Sequence, residues 1–492
     1  MESFLKQLVQ GKALLFIIVL GLGGSFQMGC HNTLISSPSP FIKRFINSSW
    51  TLRYGEAPGE GTLTLIWAAV VAFYSVGGLC GAMSIRCVLS RLGRNKAMIW
   101  NNALNVVSLT IMMTSKVANS FEMIMLSRFL FGVTSGLAVG IHSIYLGESA
   151  PKKIRGTVSV TLAIFTSIGK LTGQIVGLSE ILGQEESWTI LFCVPAFFSF
   201  IQMVTLPFFP EAPRYLLIEK GKLEECKKAL QCLWGPGEYK LEIEEMQVEQ
   251  ATLKGQRSKS LLELLRDSRV RWQCLSVVIL YESIQFSGIR GISVFTYSIF
   301  QEAGIPVDKI RYITLGIGFS EILTSIMCSL VIDRVGRRVL VWGGFGIMGA
   351  IMLLLTITLH LKDYDFWVPY CTVGLVFLFV ISHGGGPAGV SMPLSHEMFV
   401  QSYRSAAFVL IGVIVWGSFA VFGFIFPFFL NAMKSFSFLI FSCVCLAASL
   451  YMFFILPETK GKTPLEIAED FGKIRVCGSR TDTEEKFLET KL

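Results

Sequence analysis

The chain has 492 residues, 52% of them hydrophobic and only 16% charged, with 39 phenylalanines and a net charge of +8; its mean hydropathy is +0.58. No soluble domain hides that much apolar surface, and the long Gly-rich runs are too continuous for a barrel's short alternating strands, so the class is all-α and polytopic in a membrane. The basic residues fall in short loops between apolar runs, where topology accounts for them without a nucleic-acid partner.

In chain order, the first apolar run follows Lys6 and Lys12 and lacks a small-residue cleavage site, so it is expected to remain as the first span. Apolar runs predict spans at about 13–30, 64–89, 97–116, 122–146, 158–181 and 187–209, then 271–300, 309–332, 338–360, 367–395, 404–430 and 435–456. Between the two sets of six lies a polar bridge, 211–270, which carries 22 of the 78 charged residues, 11 of each sign. Helix-like runs within it cover 223–234, 241–253 and 261–266, and they are expected to lie flat at the membrane surface. The predicted units are a six-helix half (1–209), a linker (210–270), a second six-helix half (271–457) and a polar tail (458–492), whose end reads as disordered.

The basic loops Arg91/Arg94/Lys96, Lys152/Lys153/Arg155 and Arg334/Arg337/Arg338 all fall on one side, which the positive-inside rule makes cytoplasmic. The linker and both termini follow to that side. Asn47-Ser48-Ser49 is the lone glycosylation sequon and falls outside by the same count. Cys443 and Cys445 are two apart in an apolar run, no Cys pair or His/Cys cluster has metal spacing, and the cysteines read as free thiols. No phosphate-binding G-x-x-x-x-G-K-[ST] loop is present, and no cofactor or metal is expected.

The two halves repeat. Arg91-Leu92-Gly93-Arg94 follows the second span and Arg334-Val335-Gly336-Arg337-Arg338 follows the eighth. Glu148 with Arg155 follows the fourth, and Glu397 with Arg404 follows the tenth. Pro210-Glu211-Ala212-Pro213-Arg214 closes one half and Pro457-Glu458 opens the matching segment of the other. Together with Asp333, these residues predict a cytoplasmic gate of charges that pair when the halves close there. Taken singly, each charge could equally mark a membrane edge.

These motifs resemble the major facilitator superfamily and, within it, the facilitative glucose transporters of the sugar porters, from about Gly11 to Gly472. The signatures are Gly81 to Lys96, Arg128 to Gly140, Glu148 to Gly156, Pro210 to Leu216, Ser287-Gly288-Ile289, Gly386-Pro387-Ala388-Gly389 and Pro457 to Thr463. The fructose-transporting branch is the most similar, and Phe121–Leu126 and Tyr145–Pro151 are worded most like its type eleven subgroup.

The resemblance implies twelve helices in two halves and a mid-membrane sugar site from spans five, seven, eight, ten and eleven. It also implies a uniporter that works without an energy source, needs no second copy and sits in the plasma membrane, with an endosomal pool possible. A sugar pocket needs groups that both donate and accept, plus an aromatic floor. Gln174 and Gln285 occupy the family's glutamine positions, where a buried amide could also bond helix to helix.

The departures are as informative as the matches. Ile284 replaces one glutamine of a pair, and Arg290 and Glu321 stand at asparagine positions, so an Arg290–Glu321 ion pair is expected beside the pocket. The alternative places Arg290 alone in the outer vestibule. His31 stands where sugar facilitators have asparagine and proton-coupled relatives have aspartate, which raises proton coupling as an alternative. His383 matches a histidine of the fructose branch, or packs or caps a helix. Span ten has Gly389, Ser391 and Met392 in place of a tryptophan and two prolines, leaving Trp416 of span eleven as an aromatic wall. Rival functions are a proton-coupled or organic-anion (urate-like) carrier and a non-transporting sugar sensor. An enzyme is excluded because no nucleophile–base–acid set lies at depth.

Overall fold

The computed structural model describes residues 11–472 except 151–154, 179, 238, 256–259, 362–363, 400, 434–435 and 463. In the first half, helices α1 (Ala13–Gly23) and α2 (Ser25–Thr33) form span one, broken at Gly24. Helix α3 (Ser39–Tyr54) follows, then α4 (Glu60–Leu92), α5 (Arg94–Val117), α6 (Phe121–Ser149), α7 (Arg155–Val176) and α8 (Cys193–Thr205). The linker holds α9 (Leu223–Trp234), α10 (Lys240–Gly255) and α11 (Leu261–Arg266).

The second half repeats the plan. Span seven is α12 (Arg271–Gln285) and α13 (Ile289–Glu302), broken around Gly288; α14 (Val307–Val335) and α15 (Arg337–His360) follow. Span ten is α16 (Val368–Gly385) and α17 (Pro387–Met398), interrupted at Gly386, as the glycines at 384–386 lead one to expect. Helices α18 (Gln401–Met433), α19 (Ser437–Ile455) and α20 (Pro464–Gly472) complete the chain. Among the described residues, nine helices have the length and hydropathy to cross a membrane. The other expected spans correspond to α5, α7 and the broken pair α12–α13, each of which carries polar residues on its inner face.

Glycine lets α4 and α6 meet backbone to backbone. A Cβ built on Gly77 would lie 2.0 Å from the Phe129 carbonyl oxygen, and one on Gly132 would lie 1.9 Å from that of Tyr74. Helices α2 and α7 approach in the same way, with Gly29 against Thr166 (2.1 Å) and Gly169 against Phe26 (2.2 Å). Lipid exerts no hydrophobic force between helices, so close packing of this kind supplies the cohesion.

The linker helix α9 docks on protein. Cys226, Ala229, Leu230, Leu233 and Trp234 are buried against the first half, and Trp234 Nε1 donates to the Ser149 carbonyl at 2.7 Å. Ser260 and Glu263 form a reciprocal capping box that starts α11.

Candidate functional site

The repeated Gly turns build matching corners in the two halves. Gly93 (φ 79°, ψ −173°) and Gly336 (φ 99°, ψ 160°) take a positive-φ, extended conformation open essentially to glycine, which ends one helix and starts the next. Glu211 then accepts the exposed N–H groups of Arg94 (3.0 Å) and Asn95 (3.1 Å), and Glu458 accepts those of Arg337 (2.9 Å) and Arg338 (3.1 Å). Arg94 reaches Glu148 at 2.8 Å and Glu219 at 2.6 Å, while Arg337 reaches Glu397 at 3.0 Å.

Each of these pairs joins a half to itself or to the segment that follows it, and among the described residues none of them runs from one half to the other. Glu211 and Glu458 serve as helix caps. Arg338 donates to the Phe453 carbonyl, Arg214 lies 3.8 Å from Glu245 of the linker, and Arg91 is exposed. The side chains of Arg155, Asp333 and Arg404 lie outside the described residues.

Among the described residues the halves meet chiefly along α4 with α18 and α7 with α14, with a smaller contact between α2 and α13. Trp416 of α18 covers Gly78 of α4, with a Cβ there only 2.1 Å from its ring, and Tyr74 meets it edge-on at 5.8 Å. Its wall is therefore shared between halves. Between α7 and α14, Lys170 Nζ lies 2.7 Å from Glu321 Oε2, Ser167 faces Ser325 at 3.5 Å, and Gln174 packs over Gly318.

Arg290 does not pair with Glu321. Its Nε donates to Gln285 Oε1 at 2.7 Å and its guanidinium lies 4.3 Å over the Phe419 ring. The break in span seven turns Arg290 back on the glutamine five residues earlier, while Lys170 from the other half takes the carboxylate. Arg290 stays within electrostatic reach of Glu321, and His383 within reach of Lys170 and Arg290. The structure thus brings Gln174, Gln285, Arg290, Glu321 and His383 to one region. Gln174 Oε1 and His383 Nε2 are buried there without a hydrogen-bond partner.

His31 lies one ring away from that region, with Tyr74 between it and the Trp416 and Phe419 rings. It is fully buried, its ring lies 4.3 Å from that of Phe131, and neither nitrogen has a partner. Arg128 Nη1 donates to its carbonyl oxygen at 3.4 Å and lies 4.4 Å from the Tyr74 ring. In span ten, Gly389 opens no pocket, since a Cβ there would lie 2.3 Å from Cys328 Sγ of α14. Asn47 is exposed on α3, whereas the sequon's Ser49 is buried and donates to the Asn119 carbonyl at 2.7 Å. Lys170 and Glu282, which accepts from Ser418 at 2.8 Å, escaped the sequence reading, although a lone charge inside an apolar run is itself a functional signal.

Comparison with known proteins matches residues 16–471 to the family described as sugar (and other) transporter. Mouse solute carrier family 2, facilitated glucose transporter member 9 is 40% identical over 93% of this chain and 85% of its own. The human member 11 is 38% identical over 96% and 95%, and the horse member 5 is 38% identical over 93% and 91%. The likeness to type eleven is therefore shared with member 9. A structure described as the partially occluded inward open conformation of the xylose transporter XylE from E. coli superimposes with a TM-score of 0.75 at 20% identity, covering 91% of this chain and 98% of that one. Two glycine corners, a polar region between two halves and a family match over nearly the whole length converge: this chain belongs to the sugar (and other) transporter family, among the facilitated glucose transporters of solute carrier family 2.

Proposed function

We propose that this chain is a facilitated-diffusion uniporter of hexoses, fructose or glucose, working by alternating access. The observation that carries this reading is the cluster of Gln174, Gln285, Arg290, Glu321 and His383 between the halves, in a chain of a sugar-transporter family. Amides and charged groups there offer the mix of donors and acceptors that sugar hydroxyls require, and Trp416 and Phe419 supply apolar ring faces. Units 1–209 and 271–457 rock about this region, with α9 and α10 of the linker travelling on the first half and α11, packed on α12 and α18, travelling on the second. The basic loops, the linker and both termini face the cytoplasm, Asn47 faces outward, and the protein works as a monomer in the plasma membrane.

Uptake of labelled fructose, glucose and urate into proteoliposomes, with and without a pH gradient, tests the reading. Saturable hexose uptake indifferent to the gradient supports it; uptake that follows the gradient, or of urate alone, overturns it. The organic-anion alternative is favoured by one observation: among the described residues Arg290 has no carboxylate within ion-pair distance, its closest acceptor being a neutral amide.

A further inference from the structure

We propose that the Lys170–Glu321 pair is the clasp of the outer gate: it holds α7 to α14 while that gate is shut and must part before solute enters from outside. The proposal rests on the alternating-access reading above. Four contacts run along these helices from mid-membrane outward: Ser167 with Ser325 (3.5 Å), Lys170 with Glu321 (2.7 Å), Gln174 over Gly318, and Glu180 with Tyr312 (3.2 Å) and Arg311 (3.8 Å). From Arg311 to Ser325 this covers roughly 20 Å of α14, most of the outer half of a bilayer.

The rungs differ in strength. Arg311 and Glu180 are 33% and 55% exposed, and such a pair contributes little. Lys170 and Glu321 are 21% and 15% exposed and in direct contact, so water competes with their pairing less than at the Arg311–Glu180 rung. Opening the gate admits water to both, which lets the pair separate.

Just outside the pair lies a cavity of about 40 Å³ lined by Thr33, Ser36, Gln174, Tyr297, Arg311 and Thr314, drawn from both halves. That space holds a few waters and no hexose. Passage of a sugar therefore requires α7 and α14 to move apart at this level, and the ion pair is the strongest contact opposing the movement. A contact made in only one of two states shifts their ratio by its own differential free energy.

The test places a cysteine at Thr314 and measures, in intact cells without sugar, its modification by a membrane-impermeant methanethiosulfonate added outside. Glu321→Gln and Lys170→Gln are each expected to speed modification about fivefold or more. The double-neutral K170Q/E321Q, which leaves no buried charge alone, is expected to match them. The exchanged pair K170E/E321K is expected to return the rate toward that of the parent. A double-neutral variant that labels no faster than the parent overturns the proposal, and so does an exchanged pair that labels as fast as the double-neutral one. If the exchanged pair does not reach the surface, the double-neutral variant decides alone. Because no solute is present, this result is independent of the uptake assay: failure of hexose uptake with faster labelling rejects the substrate and leaves the clasp.

Discussion

Glu458 Oε1 accepts the backbone N–H of Arg337 at 2.9 Å, closing the first turn of α15 from 121 positions further along the chain. Glu211 does the same for α5 in the first half. A carboxylate at a helix N-terminus satisfies orphan donors and complements the helix dipole, together worth about 1–2 kcal/mol. Glu458→Ala is therefore expected to lower the thermal unfolding midpoint in detergent by a few degrees, and Glu458→Gln by less, because the amide keeps the acceptor. Equal midpoints in parent and Ala variant would show that the cap is idle.

Gly132 and Gly343 are expected to respond oppositely to alanine. At Gly132 the new methyl meets the Tyr74 carbonyl, which is backbone and cannot swing aside, whereas at Gly343 nothing lies within 4 Å. Gly132→Ala should sharply reduce the monodisperse yield in detergent, and Gly343→Ala should leave it unchanged or raise it through better helix propensity.

Gln174 presents a buried acceptor, Oε1, with no hydrogen-bond partner among the described residues. If a hydroxyl of the solute completes it, Gln174→Leu removes a hydrogen bond worth about 1–2 kcal/mol and raises the apparent KM roughly 5–30-fold. An unchanged KM in proteoliposome uptake would assign the amide to packing over Gly318.

Uptake is expected to be flat between about pH 5.5 and 7.5, the range in which an ordinary imidazole titrates. His31, the candidate proton carrier, is sealed among Phe131, Tyr74 and Phe192 beside the Arg128 guanidinium, and has no acid or water-facing partner. Initial rates across that range, at constant gradient, check it. A rate that changes with pH in the parent but not in His31→Asn would restore the coupled reading.

Cys226 of the linker is buried against the first half, and burial pushes its thiol up to about 11. At neutral pH it stays protonated and is expected to react with iodoacetamide at least about tenfold more slowly than the half-buried Cys232. Peptide mass spectrometry after timed alkylation measures both. Comparable rates would mean that α9 leaves its seat.

The order of spans and the linker helices were legible because hydropathy and the 3.6-residue period act locally; 223–234 and 261–266 appear as read. The internal repeat was equally plain in the Gly-Arg turns. What those glutamates touch was not, because a helix cap and an ion pair call for the same residue at the same spacing. Arg290 and Glu321 seemed natural partners as charges on consecutive spans, yet which face of α7 meets α14 depends on helix rotation, which no local pattern in the chain specifies. Lys170 was overlooked for the same reason. Trp416 reads as an aromatic wall from the sequence alone, whereas its seat on Gly78 of the other half emerges only from the packing.

The glycines are not spent alike in the two halves. In the first they press backbone onto backbone, at Gly77, Gly81, Gly132 and Gly136 and again at Gly29 and Gly169, and α6 runs unbroken from Phe121 to Ser149. In the second, Gly316 and Gly349 meet the side chains of Phe377 and Leu446, Gly389 meets both Cys328 Sγ (2.3 Å) and the Gly384 carbonyl (2.5 Å), and the counterpart of α6 is broken at Gly386. Two copies of one plan thus set a single rod in one half against a two-piece rod in the other, so the symmetry of the repeat is lost at the glycine that separates α16 from α17.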